Sequence, residues 1–298
     1  MQKSFIHQST HISYRIEGKG NAVVLLHGFG EDGSIWDQQI LFLKDHCLLI
    51  IPDLPGSGGS ERLSLELGVR SRELENKNTT QNTPSSIQTP YSRLHSPDYI
   101  SIDDYADCIH SLLVHEKINS CILLGHSMGG YICLAFAEKY PNFLSGFGLI
   151  HSTAFADNEE KKMVREKAIE LMDAYGPHHF LRNTIPNLFG RNFKERYPEK
   201  INALIESSAN FTKESLQQYY KAMMLRPDRT NVLKSNQLPI LFVAGREDVA
   251  VPLDDILKQV SLPNISYLYV LQNTGHMGMW EEPEKLNKQL LDFINRNL

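Results

Sequence analysis

Cysteine is scarce in this chain: four residues in 298, Cys47, Cys108, Cys121 and Cys133, with no C-x-x-C pair among them. That scarcity excludes a zinc ribbon and a dense disulfide scaffold. Cys121 and Cys133 lie in the apolar runs SCILLG and GYICLAFA, where free thiols pack as small hydrophobes. Basic blocks are also missing, and the formal net charge is −5, which speaks against nucleic acid as a partner. No apolar run approaches the ~18 residues of a membrane span. The N-terminal MQKSFIHQSTHISYRIEG lacks the continuous apolar region of a signal peptide. A cytoplasmic protein without a membrane partner is expected, although a chain stripped of its leader would read the same. There is no H-E-x-x-H, and the pair His178-His179 has no second ligand cluster nearby in sequence. No metal site is expected.

What is present is a 41% hydrophobic chain, long enough to bury a sizeable core. Two alternating stretches near the N-terminus predict a hairpin. AVVLLHG, CLLIIPD, CILLGHS, GFGLIHS, LPILFVAG and ISYLYVL are short apolar runs. Such runs fit strands covered on both faces. Helical patterns separate them, over about 35–44, 101–116, 253–260 and 282–296. In the second of these, Tyr105, Ile109, Leu112 and Leu113 share one face. Strand–helix alternation implies an α/β fold with a mostly parallel sheet.

Two segments break the rhythm. Residues 153–235 carry helical patterns with no strand, which predicts a helical insertion over one edge of the sheet. The charge-rich DNEEKKMVREK at its start reads as a solvated helix face. Residues 62–98 are rich in Ser, Thr, Asn, Gln and Pro, without apolar periodicity. A connection of that length is either functional or disordered, and partial disorder is expected.

The chemistry concentrates at GHSMGG, residues 125–130. It lies between a strand and a helix, the context in which G-x-S-x-G forces a serine into a strained turn and holds its Oγ out at the sheet end. Gly125 and Gly129 relieve crowding there, and Gly130 lets the helix approach the strand. A phosphate loop would need a G-K-[ST] ending, which is absent. Ser127 is therefore the candidate nucleophile. A serine hydroxyl needs a base, and the base an orienting acid. Asp248 follows a strand in G-x-x-D-x-x-x-P, residues 245–252, and His276 follows the last strand in TGHMGMWEEPE. Glu247 is the alternative acid, and Asp157 a more distant one. The backbone amides of Phe29, in HGFGE, and Met128 are the candidate oxyanion donors. Trp36, Phe29, Met128 and Met277 either line an acyl pocket or pack in the core. His151, closing GFGLIHS, either faces the pocket or is packed. His126 is expected to be packed. Phe180, Leu188, Phe189 and Tyr219 are candidates to close the pocket from above.

HGFGE, DLPGSGGS, GHSMGG, GREDVAVP and TGHMGMWEEPE together make the chain resemble the α/β-hydrolase superfamily, in the branch of esterases, lactonases and carbon–carbon bond hydrolases. The resemblance spans nearly the whole chain. It implies an eight-stranded, mostly parallel sheet flanked by helices. Residues 1–152 and 236–298 would form the core and 153–235 a helical cap after strand 6. It also implies Ser127, Asp248 and His276 as nucleophile, acid and base, with no cofactor. A serine at the elbow argues against haloalkane dehalogenase chemistry, which uses aspartate there. The long 62–98 segment departs from the family. The expected activity is hydrolysis of a small to medium carboxylic ester, thioester or lactone. The alternatives are a carbon–carbon bond hydrolase or enol-lactonase on the same triad, and a non-catalytic binding protein. The expected partner is a small-molecule ester, and the chain either a monomer or a homodimer.

Overall fold

A computed structural model describes residues 1–64 and 99–298. The expectation of flexibility for 62–98 falls, beyond Ser64, outside the described residues. Eight strands form one sheet: β1 (Gln2–His7), β2 (Thr10–Gly18), β3 (Ala22–Leu26), β4 (Leu48–Pro52), β5 (Cys121–His126), β6 (Leu144–Ile150), β7 (Ile240–Gly245) and β8 (Ser266–Leu271). Their order is β1-β2-β4-β3-β5-β6-β7-β8. Among the described residues, only the β1/β2 and β2/β4 pairs are antiparallel. Every residue of β3, β5 and β7 is buried, as the continuous apolar runs require. The strand order reverses beside β3. The loops leaving β3 and β5 therefore emerge side by side at the carboxyl edge, where an open α/β sheet gathers its ligands.

Helices α1 (Asp37–Leu43), α2 (Ile102–His115) and α3 (Met128–Lys139) cover the sheet. Helix α1 begins later than its apolar pattern suggests, because Asp32 caps a preceding 3-10 turn, Gly33–Trp36, by accepting from Ser34 N. Helix α2 starts in a full capping box between Ser101 and Asp104, and its predicted apolar face is buried. Helix α3 is buried almost all round, the signature of a helix wedged between sheet and neighbour rather than lying on a surface.

Between β6 and β7 the chain is helical: α4 (Glu159–Tyr175), α5 (Pro177–Thr184), α6 (Arg191–Arg196), α7 (Pro198–Ser207), α8 (Lys213–Met224) and α9 (Thr230–Ser235). The predicted solvated face is seen on α4, where only Ala168 and Met172 are buried. Arginines tie this insertion to the core. Arg226 pairs with buried Asp157 at 2.9 Å and lies 3.8 Å over the Tyr131 ring of α3. Arg229 pairs with Asp103 of α2 and Glu138 of α3. Asp157 also takes Arg165 Nε at 2.6 Å. Burial alone would raise its carboxyl, but the two guanidinium groups hold it below the usual range.

The last elements are α10 (Leu253–Leu257), α11 (Gly278–Glu281) and α12 (Pro283–Asn297). Helix α10 stops short of the expected residue 260. The Gln259 side chain turns back instead, donating to Asp255 O and Thr153 Oγ1 while accepting from Ala154 N. All four cysteines are buried and free. No helix of the described residues is long and apolar enough to cross a membrane.

Candidate active site

The elbow's geometry follows from its glycines. A Cβ on Gly125 would overlap the Gly129 carbonyl, and one on Gly129 would stand 2.6 Å from Leu26 O in β3. The close helix–strand approach is thus made by Gly129, whereas Gly130 abuts Ser152, just past β6. Ser127 sits between them at φ 50, ψ −114, a conformation a residue with a side chain adopts only when its surroundings enforce it. Its N–H donates to Ile150 O at 2.9 Å, and its carbonyl accepts from Ser152 Oγ at 2.7 Å. It holds the N-cap position of α3 yet makes no side-chain cap bond, so the helix does not consume its Oγ.

Asp248 is buried in the loop after β7. Its Oδ1 accepts from the backbone N–H groups of Ala250 and Val251, both at 2.9 Å. Its Oδ2 accepts from His276 Nδ1 at 2.8 Å. Burial alone would raise this carboxyl, but His276 and the converging donors hold it far below the usual range. Glu247, the neighbouring alternative, instead accepts from Arg191 N at 2.8 Å. Asp157 is spent on its two arginines. Of the three acids weighed from sequence, Asp248 is the one hydrogen-bonded to His276.

The histidine loop is clamped from two sides. His276 N donates to Leu188 O of the helical insertion at 2.6 Å. Glu281 accepts from Gly275 N and Met277 N, both at 3.0 Å, and from Gly190 N at 2.7 Å. Burial pushes the Glu281 carboxyl up to about 7, against the pull of these three N–H groups. A carboxyl raised in the folded state binds more protons there than in the unfolded chain. Its contribution to stability is complete below the unfolded value near 4.5 and is lost as the pH rises through about 7. Denaturant unfolding between pH 5 and 8 should therefore show a decline that Glu281→Gln, a mimic of the neutral acid, abolishes. A decline of equal slope in the variant would assign it to other groups.

The loop after β3 is held by a buried pair that the sequence did not disclose. Glu31 accepts from Gly28 N at 2.7 Å and lies 2.9 Å from His126 Nδ1. His126 Nε2 lies 2.9 Å from the His276 carbonyl oxygen. Burial would raise Glu31 and lower His126, but each outweighs that penalty for the other: the carboxyl is held down and the imidazole up. His126 is packed, as expected, but it also joins the elbow, the β3 loop and the histidine loop. Glu31 stands in the quoted HGFGE, yet its partner is 95 residues away, and no local pattern marks the pairing. The amides of Phe29 and Met128 donate to no acceptor among the described residues. Met128 opens α3, where a first-turn N–H has no intrahelical partner.

Of the remaining candidates, Trp36, Met128 and Met277 are fully buried in the main hydrophobic cluster. Phe29 keeps partial exposure, and its ring stacks on Tyr220 of α8 at 4.2 Å, with Phe180 and Tyr219 edge-on at 6.4 Å. Phe189 turns instead to Phe193, at 5.0 Å. His151 is fully buried against Asp248, with Nδ1 3.2 Å from Oδ2. Ligand-type atoms of His151, Asp248 and His276 lie within 4.8 Å of one another. Both imidazoles address one carboxylate oxygen at hydrogen-bonding distance, a donor set that suits shared protons. A groove of about 600 Å³ opens between the loop after β4 and the start of α8, lined by Gly56, Arg62 and Ser215 among others. Neither Ser127 nor His276 lines it.

Comparison with known proteins places the fold. A model of the alpha/beta hydrolase family matches residues 23–289. A 2-hydroxy-6-oxononadienedioate/2-hydroxy-6-oxononatrienedioate hydrolase of Burkholderia vietnamiensis is 26% identical, covering 96% of this chain and 91% of its own. A thermophilic esterase from Thermogutta terrifontis superimposes with a TM-score of 0.81 at 25% identity, over 96% of this chain and 94% of its own. The enol-lactonase from Burkholderia xenovorans has the same fold, with a TM-score of 0.80 at 20% identity over 98% of this chain and 100% of its own.

Proposed function

Because this chain belongs to the alpha/beta hydrolase family, we propose that it is a serine hydrolase that cleaves a small to medium carboxylic ester, thioester or lactone through an acyl-enzyme. Ser127 Oγ attacks the carbonyl carbon. His276 takes the serine proton and returns it to the leaving oxygen or sulfur. Asp248 fixes the imidazole with Nδ1 protonated, leaving Nε2 as the base, and stabilises the imidazolium that forms. The free N–H groups of Phe29 and Met128 receive the developing oxyanion, where each donor contributes about 3 kcal/mol to the transition state. Water activated by His276 then releases the acid.

The observation that carries this reading is the 2.8 Å bond from His276 Nδ1 to a charged, buried Asp248, on loops pinned beside a strained and uncapped Ser127. The likeness to the Thermogutta esterase supports an ester as the substrate class. A carbon–carbon bond hydrolase on the same residues is the second reading, favoured by the match to the Burkholderia vietnamiensis hydrolase along 96% of the chain.

The test is labelling with a fluorophosphonate probe, with the adduct mapped by mass spectrometry. Turnover of p-nitrophenyl esters of increasing acyl length is measured beside a 2-hydroxy-6-oxo-dienoate. Labelling at Ser127 with ester turnover supports the proposal. Dienoate cleavage a hundredfold faster than any ester would transfer it to the second reading. No labelling and no turnover would leave a non-catalytic binding protein on this fold.

A further inference from the structure

The triad needs one imidazole on Asp248, and the structure places two there. His151 is the first residue after β6, at φ 49, where a non-glycine residue is strained. Its N–H donates to Val243 O at 2.8 Å, which fixes the backbone in that turn. The ring is fully buried, with Nδ1 3.2 Å from the same Oδ2 that His276 holds at 2.8 Å. The other carboxylate oxygen is taken by the N–H groups of Ala250 and Val251. The far nitrogen of His151, Nε2, is buried without a partner among the described residues. It faces Gly278 so closely that a Cβ there would stand 2.5 Å away.

These contacts settle the tautomer. Burial pushes the His151 imidazole down to about 4, so it is neutral at working pH and carries one N–H. An ionised carboxylate only accepts, so that proton is on Nδ1. The bare Nε2 is a lone pair against the Gly278 backbone, which needs no donor but gains nothing from being buried. An imidazole in a strained turn with half its polar capacity unused is a costly way to fill space.

We propose that His151 is a positioning residue for the acid–base pair, donating a second N–H to Asp248 and thereby extending the activity of His276 to lower pH. The inference rests on the reading of His276 as the base. Its physics is electrostatic. The His151 N–H helps to neutralise Oδ2, and the positive end of that bond lies beside the N–H of His276. Both effects weaken the grip of Asp248 on the imidazolium that forms when the serine proton is taken. The other groups that face the histidine loop are His126 on the His276 carbonyl, Glu31 behind it, Glu281 on the N–H groups of Gly275 and Met277, and Glu282 on the Asn273 N–H and the Thr274 hydroxyl. Glu281 titrates near neutrality, so it is the group whose own protonation must be separated from the effect.

The experiment is the pH profile of kcat/KM from 4.5 to 9 for wild type, His151→Leu and His151→Asn, repeated in a Glu281→Gln background. Asparagine carries its amide nitrogen as many bonds from Cα as Nδ1 and tolerates φ above zero, so it keeps the donor. If leucine does not fold at this turn, His151→Gln serves, since its amide reaches the Nε2 side and not Asp248. The donor-free variant should move the acid limb up by about one pH unit, a roughly tenfold loss of activity on that limb. Asparagine should restore the wild-type limb, and the shift should survive in the Glu281→Gln background. Proton NMR of the free enzyme supplies a readout independent of turnover: beside the low-field imidazole N–H signals of His276 and His126, wild type should show one more, from His151 Nδ1, that is lost in each His151 variant. An unmoved limb in the donor-free variant, an asparagine variant that behaves like it, or no low-field signal lost on replacing His151 would overturn the proposal. Failure of the hydrolase reading would appear separately, as absent probe labelling at Ser127 with the His151 N–H signal intact.

Discussion

Ser127→Ala is expected to lower kcat/KM for the preferred substrate by about five to six orders of magnitude, because on the proposed reading it removes the nucleophile and so disables the triad as a unit. The same variant should unfold within about 0.5 kcal/mol of wild type, the range of a substitution that breaks no packing or hydrogen bond. That contrast follows from the structure. The serine's backbone is what the fold uses: its N–H reaches β6 and its carbonyl takes Ser152 Oγ. Alanine keeps both bonds and the same Cβ. The hydroxyl caps nothing in α3. Steady-state kinetics and denaturant unfolding of the two proteins, with probe labelling alongside, check both halves. A variant that retained one hundredth of the activity would mean that another group performs the attack. A variant that lost activity and several kcal/mol together would mean that Oγ is a structural partner.

Much of this site was readable before any coordinates, for a physical reason. The elbow, the G-x-x-D and the G-H are each local: a strand end, a tight turn and a side chain at fixed spacing. An apolar run such as LPILFVAG fixes a buried parallel strand, and a parallel strand fixes the edge on which its following loop stands. Sequence order alone therefore brought Ser127, Asp248 and His276 to one edge. What stayed hidden is the set of residues whose partners lie far along the chain. Glu31 and His126 are separated by 95 positions, and His151 and Asp248 by 97. Glu281 bonds Gly190 across 91. Each is a polar side chain whose partner is chosen by tertiary packing, and burial turns each pairing from optional to obligatory, since a lone charge there would be too costly. His126 and His151 read as packed or pocket-facing because a single histidine in an apolar run gives no sign of which acid will meet it.

Gly245→Ala tests the least obvious of the motif positions and is expected to cost more than about 4 kcal/mol of stability, or folding itself. In sequence this glycine only opens G-x-x-D-x-x-x-P. In the structure it ends β7 where the acid and histidine loops cross. A Cβ there would overlap the Gly275 carbonyl oxygen and stand 2.6 Å from that of Thr274. Neither loop can yield cheaply. Arg246 N is bonded to Leu271 O and Glu247 N to Thr274 O, both at 2.9 Å. Gly275 is itself packed on Gly190 and Leu188, where its own Cβ would stand 2.6 Å from Gly190 N and Leu188 O. The cost is therefore steric rather than conformational. Gly20→Ala supplies the contrast: Gly20 has φ 103 and nothing within 4 Å of a Cβ, so alanine there bears only a dihedral penalty of about 1–2 kcal/mol. Denaturant unfolding of both variants separates the two reasons for keeping a glycine. If Gly245→Ala unfolds like wild type but loses turnover, the histidine loop has moved aside and the penalty falls on the 2.8 Å bond between His276 and Asp248. If it unfolds early, the glycine sets how closely the Asp248 loop and the His276 loop can approach, which is the distance the proposed triad depends on.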